Sequence, residues 1–168
     1  GGCGAELKKY GHHLAGSSSA AAFSAQVRDI AELLAGQSER LRPLLGPLPL
    51  TVTYHDPCHI AHCQGIRRQP RELLQLIPGL QLIELPDADT CCGSAGTYNI
   101  AQPAMADKVL ARKVASIRNT GAEILVTANP GCLLQLKAAL ATGGRQVQVL
   151  HLTEVLALSL DARQTRAA

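Results

Sequence analysis

The chain is 168 residues long, 46% of them hydrophobic, with a formal net charge of +3, which suits one compact domain with a sizeable core. No Lys/Arg run exceeds two residues and the aromatic side chains are Tyr10, Phe23, Tyr54 and Tyr98 alone, so nucleic-acid binding lacks both its basic footprint and its stacking platforms. No apolar stretch reaches the ~20 residues of a membrane span, and nothing resembles a secretory signal, although the chain opens as if cut from a longer one.

Leu50 to Tyr54 is rich in β-branched residues and reads as a first strand. Pro70 to Ile77 reads as a helix, with Pro70 in its first turn and Pro78-Gly79 as its stop. Leu80 to Leu85 is a second strand. Ala104 to Asn119 is a long amphipathic helix with Met105, Val109, Val114 and Ile117 on one face, closed by Gly121. Glu123 to Thr127 is a third strand, Leu133 to Leu140 a helix, Val147 to Leu150 a fourth strand and Thr153 to Leu160 a last helix, with a frayed tail from Ala162. Strand and helix alternate, which predicts an α/β fold with a mainly parallel sheet and flanking helices.

The first 45 residues do not begin a domain cleanly. Gly2-Cys3 and Leu7-Lys8 recur at the same offsets as Gly131-Cys132 and Leu136-Lys137, and Glu32-Leu33-Leu34-Ala35 resembles Glu154-Val155-Leu156-Ala157. Residues 1–49 therefore read as the tail of a first unit plus linker, 50–160 as a complete second unit of a pseudo-repeat and 161–168 as a disordered tail. Ala15 to Ala22 and Arg42 to Pro49 read as loop and linker on this division.

Six cysteines would suit a secreted disulfide scaffold, but such scaffolds are usually smaller and loop-rich. A reducing compartment and a metal role fit the periodic segments better. Cys91 and Cys92 are adjacent and followed by Gly93; Cys58 precedes them by 32 intervening residues, and Cys132 follows in Asn129-Pro130-Gly131-Cys132. One peptide unit cannot span an unstrained bridge, so the adjacent pair is a poor disulfide. Two thiolates from one turn suit a large multi-iron centre instead. On the predicted map Cys58 follows the first strand, Cys91-Cys92 the second and Cys132 the third, all past the carboxyl ends where open parallel sheets collect ligands. A helix starting at Pro130-Gly131 would also turn its positive end towards an anionic centre.

Other readings stay open on these residues alone. A lone free cysteine is usually a small buried apolar side chain. Zinc is the next rival, but its structural sites prefer Cys-x-x-Cys hooks and none occurs. A nucleophilic Cys58 beside His55, His59 and His62 leaves the other three cysteines unexplained. Cys63 reads as a spectator thiol or a fifth ligand, and Cys3 as a cysteine whose partners lie elsewhere. His55 and His59 flank the site, as sulfur hydrogen-bond donors or ordinary turn residues. His12 and His13 read as exposed, and His151 as packed or hydrogen-bonded. Gly93-Ser94-Ala95-Gly96 is a weak phosphate loop but a suitable turn for bringing N–H groups to sulfur.

The run from His55-Asp56-Pro57-Cys58-His59 through Cys91-Cys92-Gly93 to Asn129-Pro130-Gly131-Cys132 resembles the cysteine-rich CCG domain. That domain occurs, usually twice, in heterodisulfide reductase and in the iron–sulfur subunits of glycolate oxidase, lactate-utilisation and anaerobic glycerol-3-phosphate dehydrogenase systems. His55 to His59, the Asn-Pro-Gly-Cys ending and the opening Gly2 to Gly11 look closest to the C-terminal part of the glycolate oxidase iron–sulfur subunit. The fuller heterodisulfide-reductase pattern ends in Cys-x-x-Cys, and Asn129 stands at the first of those positions.

The resemblance implies an iron–sulfur cluster of the 4Fe-4S type on Cys58, Cys91, Cys92 and Cys132. It implies an electron-transfer subunit with no carbon chemistry of its own, passing electrons from a flavin-containing glycolate oxidase subunit to a downstream acceptor. The expected location is cytoplasmic, at the inner face of a membrane through peripheral association of the complex. A disulfide-reducing CCG module and a zinc-stabilised interaction domain are the alternatives.

Overall fold

The computed structural model describes residues 1–167. Short helices come first: α1 (Gly2–Leu7), α2 (Tyr10–His13), α3 (Ser18–Gln26), α4 (Ile30–Ala35) and α5 (Ser38–Leu41), the last running into a 3-10 turn at Arg42–Leu44. Then follow β1 (Thr51–Tyr54), α6 (Cys58–Ala61), α7 (Arg68–Gln75), β2 (Gln81–Ile83), α8 (Tyr98–Ala101), α9 (Pro103–Asn119), β3 (Ile124–Thr127), α10 (Pro130–Leu140), β4 (Gln148–His151) and α11 (Leu152–Ala167). All four strands are parallel, in the order β2-β1-β3-β4. The expected α/β class is the observed one.

Three expectations are corrected. Ala15 to Ala22 is not all loop, because α3 starts at Ser18. The serines there act as a cap: Ser17 Oγ accepts from Ala20 N at 3.2 Å, and the alanines that follow are strong helix formers. The last helix does not stop at Leu160 but continues to Ala167, through a segment without Gly or Pro, so the expected tail is helical over 161–167; Ala168 lies outside the described residues. Met105 does not belong to the inner face of α9, for it is 52% exposed, and that face is Ala106, Lys113, Val114 and Ile117.

The strands sort their side chains by parity. Val52, Tyr54, Ile124 and Val126 point to one face, where they pack with Leu73 and Leu74 of α7, Ala31 of α4 and Leu152, Val155 and Leu156 of α11. Leu125 and Val149 point to the other, against Val114 and Ile117 of α9 and Leu136 and Leu140 of α10. Cys92 and Cys132 belong to this second core. Helices on both faces of a parallel sheet make a doubly wound arrangement, in which β1 and β3 are neighbours at the switch of strand order.

Two contacts fix the segments on either side of β1. Gly46 N donates to Ser159 O at 2.8 Å, and Ser159 Oγ donates to Gly46 O at 2.6 Å. A Cβ on Gly46 would lie 2.3 Å from Arg163 N, so the linker and α11 meet only through glycine. Beyond β1, the 3%-exposed Asp56 receives both Arg71 Nη1 and Nη2, each at 2.9 Å. Arg71 Nε also donates to Glu84, and the guanidinium lies 5.3 Å from the centre of the Tyr54 ring. Arg71→Ala strands a buried carboxylate and is expected to lower stability by about 3–5 kcal/mol. Arg71→Lys is expected to recover only part of this, since one ammonium cannot reproduce the planar fork. Denaturant unfolding of the metal-free chain measures both.

Candidate metal centre

Each cysteine of interest is placed by the turn that follows a strand. After β1, Pro57 sets an extended backbone and Cys58 opens α6. After β2, the segment 84–90 leads to Cys91-Cys92. After β3, Asn129 caps α10, its Oδ1 accepting from Gly131 N at 2.9 Å and Cys132 N at 3.3 Å. Pro130 takes the first helical position, where its missing N–H costs nothing. Asn129, the residue that departs from the Cys-x-x-Cys pattern, therefore has a helix-capping role worth about 1 kcal/mol.

Cys58, Cys91, Cys92 and Cys132 line one cavity of about 250 Å³, together with Gly2, His59, Ser94 to Gly96, Asn129 and Gly131. Cys92 and Cys132 are buried at its base, with sulfurs 3.1 Å apart; Cys58 and Cys91 are partly exposed. Cys58 Sγ lies 3.7 Å from His59 Nδ1 at the rim. Gly93 N donates to Cys91 Sγ at 3.3 Å, so the expected use of the glycine turn holds for its first N–H. Gly93 itself has φ +88°, and a Cβ there would lie 2.7 Å from Ala106 O. The glycine after the cysteine pair thus lets α9 close against the turn that carries both sulfurs.

The structure leaves the other cysteines out. Cys63 is exposed and does not line the cavity. Cys3 is exposed on α1, beside a shallow groove it shares with His59 and Tyr10. His62 is also turned away: Arg67 donates to its Nδ1 at 2.9 Å, leaving Nε2–H for Asp89 O at 3.2 Å. His12 and His13 are exposed, and His151 Nδ1 lies 2.8 Å from Thr153 Oγ1.

His55 is the residue that sequence reasoning places too far out. It is 1% exposed, and a ring nitrogen lies with the sulfurs of Cys92 and Cys132 inside a 4.8 Å cluster. Its backbone N donates to Val126 O at 2.9 Å, which extends the sheet one residue past Tyr54. The signal that could have found it is strand parity: His55 follows Thr53 on the face opposite Val52 and Tyr54, the face of the second core.

In the metal-free chain the surroundings of these cysteines favour the neutral thiol over the thiolate. The Cys91 thiol is held protonated by its hydrogen bond to Cys92 and by burial. Cys92 is pushed up to about 11, first by its bond to Cys132. Burial, then the neighbouring Cys91, raises Cys58. Crowded thiols resist becoming thiolates until a metal supplies compensating charge, and binding then releases their protons. The donor set also fits an iron–sulfur centre: soft sulfur donors converge on one cavity from three separate turns.

Comparison with known proteins bears on this geometry. The family model for the cysteine-rich domain, CCG, matches residues 52–137, the segment that supplies every cysteine of the cavity. The chain belongs to the CCG family. Over 93% of its length it is 40% identical to the probable glycolate oxidase iron-sulfur subunit of Bacillus subtilis, of which it covers 36%. It is 35% identical over 92% of its length to a subunit of the fumarate reductase (CoM/CoB) of Methanothermobacter marburgensis, covering 30% of that protein. It is 34% identical over 70% of its length to lactate utilization protein A of Halalkalibacterium halodurans, covering 48% of it. The chain thus spans from about a third to a half of these relatives.

Two outcomes follow from the CCG geometry. Gly93→Ala is expected to cost more than about 1 kcal/mol, through the positive φ and the displaced α9 carbonyl. It should also cut iron uptake at least several-fold, read as bound iron per chain after anaerobic reconstitution. In the metal-free chain, His55 is lowered from 6.5 to about 4, by burial first and then by Lys113. A histidine kept neutral in the fold contributes stability that is complete above its unfolded value and is lost as pH falls towards its folded one. Stability should therefore drop between about pH 6.5 and 4, by on the order of 3 kcal/mol. Thermal melts across that range measure it, and His55→Asn should flatten the profile.

Proposed function

We propose that this CCG chain is the iron–sulfur electron-transfer module of a glycolate oxidase-type complex. A single cluster of the 4Fe-4S type would sit on Cys58, Cys91, Cys92 and Cys132 and supply one-electron exchange. The observation that carries this reading is the cavity itself, which Cys58, Cys91, Cys92 and Cys132 line together from three strand-end turns. The relatives support the reading further, since one is named an iron-sulfur subunit and others belong to lactate utilisation and fumarate reduction.

The chain's own residues divide the work. Cys92 and Cys132 hold the buried side, where little water enters, while Cys58 and Cys91 hold the side nearer solvent, where an electron enters or leaves. Asn129 supplies a helix cap where a longer motif has a fifth thiol, which favours relay over reduction of a bound disulfide. A flavin-containing glycolate oxidase subunit is the proposed donor, with a cytoplasmic location and attachment to the membrane face through the complex. Among the described residues, no helix is long and apolar enough to cross a membrane.

Anaerobic reconstitution with iron and sulfide, followed by metal analysis and EPR, tests the proposal. Cys91→Ser and Cys92→Ser should each remove most of the bound iron and the visible chromophore, whereas Cys63→Ser should leave both unchanged. Full iron in Cys91→Ser would sink the ligand assignment, and zinc without sulfide in protein isolated without oxygen would favour an interaction domain. The loaded chain should take electrons from a reduced flavoprotein but oxidise no glycolate alone. Disulfide reduction that depends on Cys91 or Cys92 would replace the relay with a reductase.

A further inference from the structure

His55 ends in a hydrogen-bonding arrangement that fixes its tautomer. Ala88 O accepts from Asp56 N at 3.0 Å, from Lys113 Nζ at 3.3 Å and from His55 Nδ1 at 3.1 Å. A carbonyl has no proton to give, so Nδ1 carries the hydrogen and Nε2 carries the lone pair. Nε2 is buried and has no hydrogen-bond partner. An acceptor left in that state costs about 1–3 kcal/mol, so its persistence calls for an unseen partner. His55 does not line the open cavity but lies behind its base, one ring nitrogen within 4.8 Å of the sulfurs of Cys92 and Cys132; with Nδ1 turned to Ala88 O, Nε2 is the nitrogen left for them.

A sulfhydryl is a weak donor, and once both sulfurs are thiolates it has no proton left to offer. A hydrogen bond from sulfur therefore cannot satisfy Nε2 in the loaded state. A metal ion can. Imidazoles that bind metals usually give their other N–H to a backbone carbonyl or carboxylate, which sets the ring and raises its basicity. His55 has that arrangement, and its carbonyl partner is itself fixed from two other directions.

We infer that His55 Nε2 is a direct iron ligand at the buried end of the centre, beside Cys92 and Cys132. This deepens the cluster reading and rests on it. His55 would add one nitrogen donor to the four sulfur donors, on the side of Cys92 and Cys132. His59 does not compete for this role, since its Nδ1 lies against Cys58 Sγ at the rim.

The test uses the complete chain with nitrogen-15 in histidine alone, reconstituted anaerobically and brought to its paramagnetic oxidation state. Pulsed EPR (HYSCORE) should show one nitrogen-15 coupling of the strength given by nitrogen bonded to iron. The coupling should vanish in His55→Gln and persist in His59→Gln. Couplings of only the weak, hydrogen-bonded kind, or a strong one that survives His55→Gln, overturn the proposal. Iron and sulfide are measured in the same samples. Full loading without a strong coupling removes His55 and leaves the cysteine centre standing. Failure of the wild-type chain to load removes the centre and the role of His55 with it. The labelled wild type carries the decision, so the test survives if His55→Gln does not fold.

Discussion

One carbonyl ties the site together. Ala88 O receives the backbone N–H of Asp56, the imidazole of His55 and the ammonium of Lys113. These donors come from the turn after β1 and from α9, while Ala88 itself stands three residues before Cys91. The carbonyl therefore sets the distance between the turn that bears Cys58 and the turn that bears the cysteine pair. Lys113 can lie 1% exposed only because it lands on the carbonyls of Asp87 and Ala88. Burial lowers its proton affinity, while Asp87 and Asp89 oppose that effect.

The pair of Arg71 and Asp56 continues the same frame on the other side of the turn. Asp56 shows one backbone N–H to Ala88 and its carboxylate to Arg71, so residues 55 to 57 are held from both faces of the sheet. His55 and Asp56 are consecutive, and their side chains serve opposite ends of this arrangement. The imidazole faces the sulfurs, and the carboxylate anchors the backbone to α7. The His-Asp-Pro-Cys segment is thus a short relay of fixed positions, each residue with a separate partner.

The sheet is legible in the sequence because its strands are short, apolar and β-branched between clear breakers. The convergence of Cys58, Cys91, Cys92 and Cys132 is legible for a topological reason: parallel strands deliver their following turns to one edge. The helices before β1 are harder to read. They are only four to nine residues long, too short to show a period of apolar positions. They are defined by caps, as at Ser17 and Asp29, and by packing, as where α4 lies on α7. His55 escapes sequence reasoning because a turn is expected where the β-branched run ends. The ladder in fact continues to its N–H, and that extra residue decides which face the imidazole takes.

The clasp between Gly46 and Ser159 has a consequence for how the protein is made. Its partners are 113 residues apart, and α11 supplies Leu152, Val155 and Leu156 to the core beneath β1 and β3. During synthesis, Val52, Tyr54, Leu73 and Leu74 emerge long before those residues do. At ~5–20 residues per second the nascent chain spends several seconds with that half of its core uncovered. Emergence of α11 from the ribosome is then the event that shuts the first core, and a chain cut before it would hand an open apolar face to chaperones and proteases.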